Sequence, residues 1–592
     1  MAALARFRKF AQLRALGLLL VVLAAPPGWA GSDAAALASG ASIYQRGVLS
    51  SGGPLTAARG PDMRFSGFEV ACINCHQRSG LGAQAGTRLI PPVAGRYLFH
   101  ARNREDNDEG LPFVAGMHGD REPYSEATLA RAIRDGVDSE GHPLDYMMPR
   151  FALNDRDMAA LIAYLKSLAP SRVPGVTDSL LHFATIITPE ADPQKAEGML
   201  NVLQQFFTDK NAFPFGPTPR LHSSRKLKFM ANRRWQLHVW RLTGPASGWA
   251  EQLQRHLEDE PVLAVLSGLG GMTWAPIQTF CERNALPCLF PNTEVPPANA
   301  DADFYSLYFS KGVRLEADLI ASRLVDSDGG RGARVVQQVY RAGDSGEQAA
   351  AALAATLEGH GLKVRRYILA QAPQADDLAV ALRKAARADA VVLWLRPADI
   401  AALADVPVPP PPVFMSGLMG GLDHAPLPAD WRRSTHIAYP VDLPENRRVR
   451  VDFARGWFSI RHIPVVDEQM QTDTYLACGL LAETLSHMSD TFVRDYLIER
   501  IQTMLEHRVI TGYYPRMALA TGQRFASKGG YLVHFAAGTG NAVLAESDWI
   551  RPALGSDPSR RVAKPRMLKS ENRSKNYDGH AHMDPDIVSN LP

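Results

Sequence analysis

The pentapeptide Cys72-Ile73-Asn74-Cys75-His76 spells C-x-x-C-H. At this spacing two thiols can be joined to the two vinyl groups of one haem, and the histidine that follows falls beneath the iron. The motif therefore predicts one covalent haem c, anchored by Cys72 and Cys75 with His76 as an iron ligand.

The N-terminus reads as an export signal over residues 1–30. Arg6, Arg8, Lys9 and Arg14 precede a short apolar run from Leu16 to Ala25, and Pro26-Pro27-Gly28-Trp29-Ala30 ends in small residues before Gly31. The apolar run is shorter than the ~20 residues of a spanning helix. Covalent haem is attached outside the bacterial cytoplasm, so leader and motif point to one compartment, the periplasm. The chain has 592 residues, enough for about three domains. Its formal net charge of +3 supplies no basic field for nucleic acid. Of its five cysteines, Cys281 and Cys288 lie close enough in sequence for a disulfide, with geometry left open. Cys478 reads as a buried thiol.

Residues 31–172 form the region around the motif. Gly40–Gly47 has helical character, with Ile43 and Tyr44 on an apolar face. Ser125 is placed to cap a helix carrying Leu129, Ala132 and Ile133 at 3–4 spacing. Met147-Met148-Pro149 lies in a loop. Asn154 then precedes a helix striped by Met158, Leu161, Ile162, Leu165 and Leu168.

From Gly40 to Leu168 the chain resembles a class I cytochrome c domain. The resemblance implies an all-α fold around one haem, with His76 as proximal and Met148 as distal ligand. Pro91 would offer its carbonyl to the proximal imidazole, and Arg96 would stand near a haem propionate. Met147 is the rival distal ligand; Met117, His118 and His142 are further alternatives. A His/Met pair leaves no open position and suits one-electron transfer, not an enzyme's substrate chemistry.

Past the proline-containing linker 169–175 the pattern changes. Strands at 182–188, 235–242, 262–267 and 286–290 alternate with helices. A second series places strands at 334–340, 363–369 and 390–395 between helices. Alternation of this kind predicts parallel sheets in two α/β lobes, with a ligand at the strands' carboxyl ends. Gly268-Leu269-Gly270-Gly271 lacks a phosphate-binding fingerprint.

Over most of 178–535 the order of elements resembles a type I periplasmic solute-binding protein, the receptor of branched-chain amino-acid ABC transporters. The resemblant segments include VLSGLGGMTWAPIQTFCERNALPCLFP and TDTYLACGLLAETL. It assigns residues 176–545 to two hinged lobes that close on a small molecule. By position the ligand would meet Met272, Thr273, Asn292 and Thr293, and then Ser345 and Arg396. The family grips amino acids with small hydroxyl residues after the glycine turn, and Gly271-Met272-Thr273-Trp274 fits only partly. Trp274 and Trp394 belong to core or cleft wall. No catalytic triad, carboxylate pair or metal-ligand spacing stands out. Residues 546–592 read as a disordered basic tail, in which His580 and His582 are too few for a metal site.

These readings converge on a periplasmic electron carrier fused to a solute-binding module. Its expected partners are a redox protein, such as a dehydrogenase or another cytochrome, and a small-molecule ligand; nucleic acid and membrane are not expected. The alternative is a receptor or sensor whose haem reports redox state. A haem enzyme with an open sixth position is the third reading.

Overall fold

The computed structural model describes residues 29–85, 88–100, 122–170, 172–212, 233–326, 334–371, 377–488, 491–507, 512–520, 522–536 and 540–552. Residues 1–28 of the expected leader, Met117, His118 and the tail beyond 552, with His580 and His582, lie outside them. No helix among the described residues is long and apolar enough to cross a membrane.

Around the motif, helix Trp29–Arg46 crosses helix Asp155–Ser167. Gly40 permits the close approach, since a Cβ there would lie 2.1 Å from the Ala160 carbonyl oxygen. Ile43 and Tyr44 are fully buried, and Tyr44 packs on Tyr164 at 5.4 Å between ring centres. Helix Glu126–Asp135 starts at a capping box between Ser125 and Thr128 and stops at Gly136, whose φ of 71° a glycine adopts readily. Asn154 caps the last helix by accepting the Asp157 amide at 2.8 Å.

The expectation of an all-α domain is corrected here. Met63–Ser66, Thr56–Arg59 and Arg150–Phe151 form a small antiparallel sheet, and Ala83–Ala85 pairs with Arg88–Ile90. Gly47, Gly52 and Gly60 all take positive φ and break the chain into pieces too short for helical turns. Cross-strand pairing then satisfies the backbone groups a helix would have used.

Among the described residues, the larger part of the chain carries two sheets, each of seven strands. In the first, Arg234–Arg241 pairs with Leu180–Ile187, which adjoins Ala264–Leu266, then Cys288–Leu289 and Ser306–Leu307, all parallel. Two of these strands resume after a kink, as Leu269–Gly270 and Asn292–Thr293. Positive φ at Ser267 (54°) and Phe290 (54°) makes the kinks, a strained conformation for residues with a Cβ. In the second sheet the order is Lys363–Leu369, Val335–Arg341, Ala390–Trp394, Val413–Ser416, Thr435–Tyr439, Tyr531–Phe535 and Val543–Ala545, the last two antiparallel. Val391, Val392 and Leu393 are wholly buried, as expected of a central parallel strand covered on both faces.

The chain passes between the two lobes after Ser306–Leu307, after Thr435–Tyr439 and before Tyr531–Phe535. Two crossings bond to each other: the Ala526 amide donates to Tyr308 O at 2.9 Å and the Ser527 amide to Phe309 O at 2.7 Å. Helices Pro444–Ile460, Glu468–Met488 and Arg494–His507 return to the first lobe, where Glu468–Met488 packs on helix Pro193–Ala212.

Candidate functional site

Cys72 precedes the single helical turn Ile73–His76, whose His76 amide bonds back to Cys72 O at 2.9 Å. Both thiols and the imidazole thus spring from one turn. His76 is buried, and its Nδ1 lies 2.9 Å from the Pro91 carbonyl oxygen. A carbonyl only accepts, so Nδ1 carries the proton and Nε2 keeps its lone pair. Burial lowers the imidazole pKa, with the Pro91 carbonyl opposing; the neutral ring is the form that ligates iron.

Met148 is half-buried against the hydrophobic core, as are Ile73, Val93 and Leu144. Met147 is 41% exposed. Its amide and that of Met148 both bond to Asp145, a turn that sends the two thioethers to different environments. Donor set and apolar wall therefore fit a haem. His142 sits on an exposed turn, 3.6 Å from Asp138 and 3.7 Å from Glu140, a grouping that sequence spacing did not suggest.

The loop after His76 is fastened to the first lobe. Ser79 donates from its amide to Glu499 Oε1 at 2.9 Å and from its hydroxyl to Oε2 at 2.6 Å. Arg78 reaches Asp495 at 3.8 Å and lies over the Phe304 ring at 4.6 Å. Arg96 donates to the Tyr97 hydroxyl (2.6 Å) and to Thr491 Oγ1 (3.1 Å), so it takes part in the same seam. Burial pushes the Glu499 carboxyl up to about 8, against the pull of the Ser79 bonds.

Between the lobes lies a cavity of about 660 Å³, within the usual range for small-molecule sites. Met272, Asn292, Thr293 and Arg396 line it, whereas Thr273 and Ser345 do not. Ser345 is buried behind Arg396, which donates to its hydroxyl at 2.9 Å. The Asn292 amide donates to Ser267 Oγ (2.9 Å) and Thr474 Oγ1 (3.1 Å), fixing the kinked strand ends to helix Glu468–Met488. Trp274 and Trp394 are fully buried and belong to the core.

Arg396 spans the lobes. Its guanidinium bonds Glu294 of the first lobe through two nitrogens (2.7 and 2.6 Å) and Asp344 of the second at 2.9 and 2.5 Å. Burial works against its charge, but the two carboxylates outweigh burial and raise its pKa. They are in turn held below the ordinary carboxylate range by Arg396, although burial opposes this. Sequence reasoning missed Glu294 and Asp344, though each adjoins a residue it named. It also missed Asp473, a buried carboxylate on helix Glu468–Met488 and a cavity-lining residue.

The suggested disulfide is not formed. Cys281 and Cys288 are free thiols with no exposure, on a helix and on the strand beneath it. They interact through a hydrogen bond, and burial is the main cause raising the Cys281 pKa.

The family model for cytochrome c matches residues 66–169. That family binds haem covalently, so the chain joins a cytochrome c domain to a two-lobed α/β body. No curated protein matches the chain. Among solved structures, it is similar to a fatty acid ABC transporter substrate-binding protein from Thermomonospora curvata. That match has 16% identity and TM-score 0.46 and covers 64% of this chain and 94% of that one. A leucine-binding protein from Thermotoga maritima gives 13% identity and TM-score 0.44, over 63% of this chain and 99% of that one. A branched chain amino acid ABC transporter from Thermus thermophilus with bound valine gives 9% and 0.47, over 63% and 98%.

Proposed function

We propose that the protein is a periplasmic one-electron carrier joined to a small-solute receptor. The observation that carries the reading is His76 Nδ1 against the Pro91 carbonyl, on the same turn as Cys72 and Cys75. Haem c, bound there, supplies reversible one-electron exchange. Cys72 and Cys75 anchor it and the Pro91 carbonyl keeps the proton on Nδ1. Nε2 would then be left to hold the iron, and Met148 would supply its thioether as a second ligand, a donor that favours the ferrous state. A visible spectrum and redox titration of the purified full chain test this. A low-spin spectrum with the weak sulfur-to-iron band at the red end is expected; carbon monoxide binding by the native ferrous protein at neutral pH overturns it.

The two-lobed body we read as the receptor, on the strength of the cavity and of Arg396 joining its two walls. A thermal-shift screen of a broad small-molecule library tests that part, because binding to the native state raises the melting midpoint. A second reading, in which the haem senses ligand, draws on one further observation. Helix Glu468–Met488 lines the cavity and packs on Arg494–His507, whose Glu499 holds the loop after His76. A haem potential that shifts on ligand binding distinguishes it.

A further inference from the structure

The polar groups of the interlobe cavity are not neutral in sum. Six carboxylates and two cations line it, and both cations are already engaged within the protein. Arg396 is shared by Glu294 and Asp344, and Lys195 pairs with Asp467 at 2.7 Å. Asp192 accepts the Gln194 and Lys195 amides as a helix cap. Two carboxylates remain. Glu190 lies against Gly271, where a Cβ would come within 2.8 Å of its Oε2. Asp473 is only 6% exposed; its Oδ2 accepts from the Tyr514 hydroxyl at 2.9 Å, while its Oδ1 is buried with no partner among the described residues.

A buried carboxylate oxygen without a partner is costly, and its presence in the wall of a cavity is explained by a group that arrives with the ligand. We propose that the cavity takes a small organic cation, an amine bearing no carboxylate, with Asp473 as its counter-group and Glu190 as a second acidic contact. This rests on the receptor reading above and specifies its ligand. A carboxylate-bearing solute is disfavoured: it would have to compete with Glu294 and Asp344 for Arg396, and Met272 stands where a hydroxyl donor would help. Burial pushes the Asp473 carboxyl up to about 8, with Tyr514 opposing; an adjacent cation favours its charged form, so amine binding draws that proton off.

The test is isothermal titration of the haem-loaded full chain with ethylamine, putrescine and benzylamine, beside leucine, succinate and 1-butanol. At least one amine is expected to bind and to raise the melting midpoint. Asp473→Asn keeps an acceptor for Tyr514 and should weaken amine binding by about tenfold or more; Glu190→Gln should weaken it less. A ligand-free melting midpoint for each variant separates lost binding from lost folding. Amine affinity unaltered in a folded Asp473→Asn variant overturns the proposal, as does the absence of binding by every amine. If the broad library yields only neutral or anionic ligands, the inference fails and the receptor reading stands. If it yields none, both fail.

Discussion

The region around Cys72–His76 and the interlobe cleft offer a small molecule opposite chemistry. Around the motif the candidate donors are uncharged: two thiols, an imidazole and a thioether, three of them on one helical turn. In the cleft the groups are charged, and they come from strand ends, a loop and a helix as far apart in the chain as Lys195 and Asp473. A covalent anchor needs correct spacing over a few residues and little else. A reversible site must balance its charges against one another when empty, which is the work of the Glu294–Arg396–Asp344 cluster.

If the two regions are independent in this way, removing the anchor should leave the cleft intact. Cys72→Ser combined with Cys75→Ser should abolish covalent haem, read as complete loss of haem stain after denaturing electrophoresis, while thermal shifts by cleft ligands persist. Loss of both together would break the contrast. Met148→Ala should retain the haem, lose the red-end band, lower the potential and admit carbon monoxide to the ferrous protein.

On the other side, Arg396→Ala leaves Glu294 and Asp344 facing each other without a cation. The cluster is partly exposed, so the cost should be about 1–2 kcal/mol, below that of breaking a fully buried pair. The lobes should separate, read as a larger radius of gyration in solution scattering with an unchanged haem spectrum. Ser79→Ala probes the join between the regions. Leaving Glu499 without its hydroxyl partner should cost about 1–2 kcal/mol in denaturant unfolding.

The join between the regions also sets a pH dependence. Glu499 has its pKa raised by burial from 4.5 to about 8. The native state keeps a proton that the unfolded chain gives up, so its stabilising contribution is complete below about pH 4.5. It is lost as pH climbs to about 8, at a rate on the order of 1.4 kcal/mol per pH unit. Glu499→Gln should flatten that part of the stability profile; an unchanged slope would assign it to the other buried carboxyls.

The cytochrome c domain was legible because covalent attachment writes a short motif, Cys72 to His76, into adjacent residues. The α/β alternation was legible too, since strands such as 390–394 are apolar throughout and bounded by helical periods. The small sheet at 56–66 was not, because its strands are four residues long and their pairing depends on a distant partner, Arg150–Phe151. In the cleft, position after a strand found Asn292, Thr293 and Arg396. It could not find Glu294, Asp344 or Asp473 as a group, because what unites them is only their meeting at one cavity between two lobes. Nothing near Ser79 in the chain announces Glu499, which lies 420 residues later.

That long-range bond bears on how fast electrons can be exchanged. A carrier on a loose tether turns freely and offers its haem edge to a partner in many poses. Here the loop after His76 is bonded to Glu499 and Arg78 stacks on Phe304, so a haem anchored at Cys72 and Cys75 would be held in one orientation relative to a large, slowly tumbling body. Productive encounters then require the whole molecule to meet its partner in the right orientation, and that constraint lowers the association rate.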